Sequence, residues 1–301
     1  MLPLAAAGAA ALAAVLIRRR LRSWFEEDFR RRRPIGINGV VIGADTIDLQ
    51  ASKTHAVLLL HGFNDTPQSL GYLARSLHAN GWTVRAPLLP AHGRGLEAAC
   101  DARAETWLAF ARAQYEEMAL RYRVVALCGQ SMGGALATLV AAKHPDIPAL
   151  VLLAPYLGMP RGLQLKLAGA WVAHAVTPYH MNAGAERSIH DPEARALALG
   201  TGVVTAGMLS QLRRIAEKAA RDLPRISSPT LYMQSREDNR IAEADARRFF
   251  ASIGCETKVQ RWLSGCGHII AEDYCRDDVA REVHGWLVSH AGAPATSERN
   301  S

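Results

Sequence analysis

Val124-Val125-Ala126-Leu127-Cys128-Gly129-Gln130-Ser131-Met132-Gly133-Gly134-Ala135-Leu136-Ala137-Thr138-Leu139-Val140 is the stretch on which the reading of this 301-residue chain turns. An apolar run of strand character enters Gly-Gln-Ser-Met-Gly, and small helix-forming residues follow. A serine between two glycines at a strand-to-helix junction is the pattern of a nucleophile elbow. So tight a turn needs positions almost free of side chain at Gly129 and Gly133, and it holds Ser131 in a strained backbone conformation. The strain pushes Oγ away from the sheet, at a helix N-terminus whose dipole favours developing negative charge. A glycine-rich turn with a chance serine is the competing reading, and the strand before and helix after weigh against it.

A nucleophilic serine needs a base and an acid that orients the base. Thr230-Leu231-Tyr232-Met233-Gln234 reads as a buried strand, followed by the polar loop Ser235-Arg236-Glu237-Asp238-Asn239-Arg240-Ile241. Lys258-Val259-Gln260-Arg261-Trp262-Leu263 alternates like a further strand, and Ser264-Gly265-Cys266-Gly267-His268 comes next. Glycines beside His268 let that loop curl back toward Ser131. His268 is therefore the candidate base and Asp238 the candidate acid. Glu237 is the competing acid; Asp238 is favoured because Asp-x-x-Ile sets its carboxylate one turn before an apolar anchor. His55, His78, His144, His284 and His290 occupy ordinary helix, strand-end or surface contexts.

Acyl transfer also needs two N–H donors aimed at the oxyanion, and losing one costs about 3–4 kcal/mol. Ala56-Val57-Leu58-Leu59-Leu60 has the unbroken apolar character of a central parallel strand, and it ends in His61-Gly62-Phe63-Asn64. The N–H groups of Met132 and Phe63 are the candidate donors, with His61 shaping the loop. This chemistry calls for no metal and no organic cofactor.

With these residues in place the chain resembles the α/β-hydrolase superfamily, and within it the monoacylglycerol lipase and bacterial carboxylesterase branch, the serine-aminopeptidase-like hydrolases. The resemblance rests on Leu58-Leu59-Leu60-His61-Gly62-Phe63, Leu73-Ala74-Arg75-Ser76-Leu77, Gly81-Trp82-Thr83-Val84 and Pro87-Leu88-Leu89-Pro90-Ala91-His92-Gly93. Gly129 to Gly134, Asp238 and Gly267-His268 complete it, over roughly residues 55 to 290. Two departures stand out: Gln234-Ser235 lies where that branch often has His-Gly or Gly-x before the acid, and Cys266 precedes the glycine of the histidine loop. The resemblance implies a hydrolase fold, a Ser131–Asp238–His268 triad, and a cap that supplies the substrate's hydrophobic site.

The pattern around these motifs predicts an α/β fold: a mostly parallel central sheet flanked by helices, with a helical cap inserted after the sixth strand. Strands are expected near 56–60, 82–86, 123–128, 149–153, 229–234 and 257–262, with an antiparallel hairpin over 39–50. Helices are expected near 67–79, 104–120, 132–143, 242–252 and 276–290. Residues 39–155 and 223–290 form the expected core, and 156–222 the cap, with helical stretches at 162–176, 192–198 and 203–222. In the first stretch Leu163, Leu165, Leu167, Trp171, Val172 and Val176 are candidates to line an acyl pocket. Residues 291–301, rich in Ala, Gly, Ser, Thr and Pro, are an expected disordered tail.

Leu2 to Ile17 is apolar, and Arg18-Arg19-Arg20-Leu21-Arg22 follows. The expectation is a membrane anchor over residues 1–22, extended by snorkelling arginines. Arginine after the segment favours a cytoplasmic catalytic domain. A cleavable signal and an interfacial helix are the competing readings. Residues 23–38 are an expected linker. Of the net charge of +7, Arg18–Arg22 and Arg30–Arg33 hold eight arginines, which reads as attraction to anionic membrane lipid rather than to nucleic acid. Five cysteines, an odd number with no zinc spacing, suit a reducing compartment, with Cys266 a small filler.

The function expected is hydrolysis of a carboxylic ester with an apolar acyl chain, the substrate being a small amphiphilic ester. Acyltransferase, thioesterase or peptidase chemistry from the same triad is the alternative within enzymes. A non-catalytic hydrolase fold used as a binding protein is the alternative outside them.

Overall fold

The computed structural model describes residues 2–165, 167, 177–182 and 184–294. Among the described residues nine strands form: β1 Ile47–Leu49, β2 His55–Leu60, β3 Thr83–Ala86, β4 Val124–Gln130, β5 Leu150–Leu153, β6 His180–Met181, β7 Val203–Val204, β8 Thr230–Ser235 and β9 Lys258–Leu263. Seven of them make one sheet in the order β1-β3-β2-β4-β5-β8-β9. Every pairing in it is parallel except β1 on β3.

The helices used below are α1 Leu2–Arg32, α2 Gly71–Ala79, α3 Leu96–Cys100, α4 Ala104–Arg121, α5 Met132–Ala141, α6 Pro192–Leu197, α7 Ala206–Asp222, α8 Glu243–Ala251 and α9 Arg276–Ala291. Strand side chains alternate between faces, so the apolar run of β2 serves two cores. Leu58 and Leu60 pack with α4, α5 and α7 through Trp107, Leu136 and Ile215. Val57 and Leu59 pack on the other face with α2 and α9 through Leu73, Val279 and Val283. A sheet buried on both sides leaves its strands no polar face, which is why β2 and β5 read as continuous apolar segments.

The register brings the functional loops to one edge. Leu60 lies beside Gly129, and Gln130 beside Leu153, so the loop after β2 and the turn after β4 emerge together. Ser235 lies beside Leu263, so the loops after β8 and β9 emerge at the same carboxyl edge.

Three expectations are corrected. The hairpin over 39–50 does not form: β1 finds its antiparallel partner in β3, and residue 41 makes only an isolated bridge to Ile35. The excursion from the sheet therefore follows the fifth strand, β5, rather than a sixth. It holds helical residues 161–165, α6, the β6–β7 ribbon and α7. The last of these packs on α5, with Leu212, Ile215, Ala216 and Ala219 in the core beneath the elbow.

The membrane anchor is the second correction, and with it the expected placement of a catalytic domain on the cytoplasmic side of a membrane. Among the described residues no helix is long and apolar enough to cross a membrane. The apolar part of α1, residues 2–17, makes about 24 Å of helix at 1.5 Å per residue, against about 30 Å of hydrocarbon. Beyond it the helix continues, charged, to Arg32 instead of ending before a linker. Several of the arginines are engaged with the protein itself. Arg22 pairs with Glu26 and Glu97, Arg32 pairs with Asp28, and Arg33 donates to the Ala198 carbonyl. Phe29 is buried with Val41, Leu96 and Tyr179, so the end of α1 is packed on the domain.

Third, the cysteines are not all free thiols: Cys266 and Cys275 form a disulfide, with Cα atoms 6.0 Å apart. Cys100, Cys128 and Cys255 are free. Of the expected pocket-lining residues, Trp171, Val172 and Val176 lie outside the described residues, as does most of the expected tail, 295–301.

Candidate active site

Ser131 has φ 55°, a left-handed value that costs a serine about 1–3 kcal/mol. The sheet holds it there: its N–H donates to Leu153 O and its carbonyl accepts from Tyr156 N–H, each at 2.9 Å. The glycines show why the turn tolerates no side chains. A Cβ on Gly129 would stand 2.1 Å from Gly133 O, and one on Gly133 would stand 1.9 Å from Leu60 O. One on Gly134 would meet Pro155 at 2.8 Å. Helix α5 thus sits directly on the strands that carry it.

Ser131 Oγ donates to His268 Nε2 at 2.8 Å, and His268 Nδ1 donates to Asp238 Oδ2 at 2.7 Å. The side chains of His268 and Asp238 are 7% and 1% exposed, so the pair is shielded from water while Ser131 stays partly open. Burial alone would push the Asp238 carboxyl up. The adjacent His268 and the N–H groups of Arg240 and Ile241, bonded to Oδ1 at 2.7 and 3.0 Å, outweigh it and hold the group below the usual aspartate range. Asp238 is ionised, the state that can fix an imidazole's tautomer. Glu237 turns away: its Oε2 accepts from Ser235 Oγ and from Gly265 N–H, bracing the two loops against each other.

The loop after β2 lies against Ser131. A Cβ on Gly62 would stand 3.3 Å from Ser131 Cβ, which places Phe63 next to the elbow. Met132 is the first residue of α5, so its N–H is one of the helix's unpaired donors. His61 is fully buried; it accepts from Leu89 N–H at Nε2, 3.0 Å, and donates from Nδ1 to Gly62 O, 2.9 Å. Burial, with the neighbouring His92, depresses its proton affinity far below the ordinary histidine range. It is a neutral strut for the loop. Beside it, Phe63, Asn64, His92, Ala102, Trp107 and Met208 line a narrow slot. A wider cleft of about 400 Å³ lies between α1 and residues 94–101 and holds none of these candidates.

Three further residues tie the site together, and sequence reasoning missed them all. Gln130 reaches from the elbow to accept from Ala271 N–H at 3.1 Å. Gln234 Nε2 donates to Asp238 Oδ2 at 2.6 Å. Asp273, fully buried, accepts four backbone N–H groups: Gly267 and His190 on Oδ2, Asp191 and Tyr274 on Oδ1, all between 2.6 and 2.9 Å. Through it the histidine loop is bonded to residues 188–191. Ile269 N–H adds a bond to Ser188 O, and Asn239 Nδ2 donates to Gly184 O at 2.7 Å. Gly267 is required here too, since a Cβ would stand 2.7 Å from Ser188 O. Its glycine was legible in the sequence, but its partner was not. Of the expected pocket residues, Leu165 is exposed and Leu163 half-buried.

A parallel sheet in this order, with a strained serine on the turn after its central strand, is the α/β-hydrolase fold. The chain belongs to the family described as serine aminopeptidase, S33, whose profile matches residues 51–274. It is 28% identical over 237 residues to a thermostable monoacylglycerol lipase of Bacillus sp. (strain H-257), covering 78% of this chain and 91% of that one. It is 25% identical over 233 residues to a carboxylesterase of Bacillus subtilis (strain 168), covering 77% and 92%. Among solved structures, one described with the metagenome-derived lipolytic enzymes LipS and LipT superposes with a TM-score of 0.76 at 25% identity, covering 83% of this chain and all of that one.

Proposed function

We propose that this protein is a serine ester hydrolase of the carboxylesterase or monoacylglycerol lipase kind, acting on esters with an apolar acyl chain through a Ser131–His268–Asp238 triad. Ester hydrolysis itself is supported by the family and by relatives that are lipases and carboxylesterases. The observation that carries the triad is the continuous hydrogen-bonded line from Ser131 Oγ through both nitrogens of His268 to a buried, ionised Asp238.

Ser131 Oγ attacks the ester carbonyl carbon as its proton passes to His268 Nε2. The carbonyl oxygen becomes an oxyanion facing the N–H groups of Phe63 and Met132. Collapse breaks the bond to the alcohol, which leaves with the proton from Nε2, and an acyl-enzyme remains on Oγ. Water then attacks that ester, giving its proton to Nε2, and a second collapse returns Ser131 and releases the acid. Asp238 keeps the proton of His268 on Nδ1 and stabilises the imidazolium in both halves.

The test is a panel of acyl esters of graded chain length with wild type and Ser131→Ala, alongside labelling by a fluorophosphonate. The expected result is hydrolysis that depends on Ser131, favours an apolar acyl chain, and is blocked by the label. Hydrolysis and labelling that survive in Ser131→Ala would remove the triad. Acyl transfer to an alcohol faster than to water would replace hydrolase with acyltransferase.

A further inference from the structure

Gln234 stands at the end of β8, fully buried, four residues before the acid. Its Nε2 lies 2.6 Å from Asp238 Oδ2, the same oxygen that receives Nδ1–H of His268 at 2.7 Å. The amide's orientation is fixed by chemistry: an ionised carboxylate only accepts, so Nε2 and not Oε1 must face it. Oε1 is buried with no partner among the described residues, which leaves the bond to Asp238 as the one this side chain makes. The carboxylate does not need Gln234 to stay in place, because Oδ1 is held separately by the N–H groups of Arg240 and Ile241.

Two donors thus compete for one oxygen. Density that Oδ2 gives to the amide is withheld from the imidazole, and the difference matters most when His268 carries a second proton. We propose that Gln234 is a positioning residue of this site: its amide, sharing Oδ2 of Asp238 with His268, weakens the carboxylate's hold on the imidazolium and keeps His268 available as a base at lower pH. This rests on the triad reading given above.

The other ionisable groups facing the pair are few. Tyr232 and Arg240 flank Asp238 on its own strand and loop, and Asp245 of α8 acts on Tyr232. From the loop after β2, buried Asp65 faces His268 and is coupled to Glu272 of the histidine loop. None of them touches Asp238 Oδ2, so a substitution at Gln234 leaves their fields in place.

The experiment compares wild type and Gln234→Met, nearly the same shape without the donor, in kcat/KM against pH on a water-soluble short-chain ester. The acid limb should move to higher pH by about half to one unit, a loss of about three- to tenfold at a fixed pH on that limb. The high-pH plateau and KM should stay within about twofold, whereas a merely structural role would lower the plateau and leave the limb in place. Gln234→Glu puts a second carboxyl against Asp238; protonated, it donates to Oδ2 as the amide does, and activity should fall once rising pH forces both groups to ionise. A folded Gln234→Met with an unmoved limb overturns the inference, as does Gln234→Glu with wild-type activity at alkaline pH; if the Met variant does not fold, the Glu variant decides. Failure of the triad reading looks different, as wild-type activity that persists in Ser131→Ala.

Discussion

Gly133→Ala adds one carbon at the point where α5 meets β2, and its consequence can be worked from the geometry. The new Cβ would stand 1.9 Å from Leu60 O and 2.6 Å from His61 O. Both are backbone atoms of a buried strand end, so no side chain can swing aside. The helix and the strand must part by more than about 1 Å in an interior packed like a crystal. Overpacking of this severity costs about 3 kcal/mol or more. At about 2–4 °C per kcal/mol for a large domain, the melting temperature should fall by about 6–12 °C. The same displacement separates the loop carrying Phe63 from Ser131, and a 1 Å error at a reacting centre costs about 100-fold in rate. Gly285→Ala is the control. Gly285 lies inside α9 with open space around its Cβ position, and alanine there should stabilise by about 0.5–1 kcal/mol without touching activity. Calorimetry and hydrolysis of a chromogenic ester read both variants. A Gly133→Ala protein that melts with the wild type and hydrolyses at its rate would refute the close-approach argument.

Ser131→Ala and His268→Ala should each lower hydrolysis by at least about 10³-fold, and by similar factors, because nucleophile and base act as one unit; steady-state kinetics on the folded variants decide it. Asp238→Asn should lose most activity, while Glu237→Gln, which keeps an acceptor for Gly265 N–H, should lose little. The reverse order would make Glu237 the acid. Burial and the nearby Asp65 raise the Glu272 carboxyl to about 8. The folded state therefore binds that proton more tightly than the unfolded chain, and stability contributed by this group falls as pH rises from the ordinary glutamate value through about 8. Melting temperature against pH should decline less steeply over that window in Glu272→Gln, and an unchanged slope would show that Glu272 is ionised throughout.

The elbow, the acid loop and the histidine loop were legible because each is announced locally, by an apolar strand running into glycine or polar residues. What failed needed a partner distant in sequence. Ile47–Leu49 looks like half of a hairpin until Val84–Ala86 is seen to be its neighbour. The arginines of α1 and the adjoining Arg33 look like a lipid-facing stripe until Glu97 and the Ala198 carbonyl are seen to receive two of them. Gln130 and Asp273 carry no pattern at all. A buried glutamine and a surface one are the same letter, and only the loops they bridge give them a role.

The bonds from Asp273 and Asn239 to residues 184–191 bear on any attempt to exchange this excursion with that of a relative. A graft that replaces 156–222 whole would remove the backbone groups on which Asp273 and Asn239 rest, and so loosen the loops of His268 and Asp238 while leaving both residues in the sequence. The workable splice keeps 184–191 with the host and replaces only what precedes it. The support of His268 and Asp238 thus extends into the excursion itself, over residues 184–191, well away in sequence from either residue.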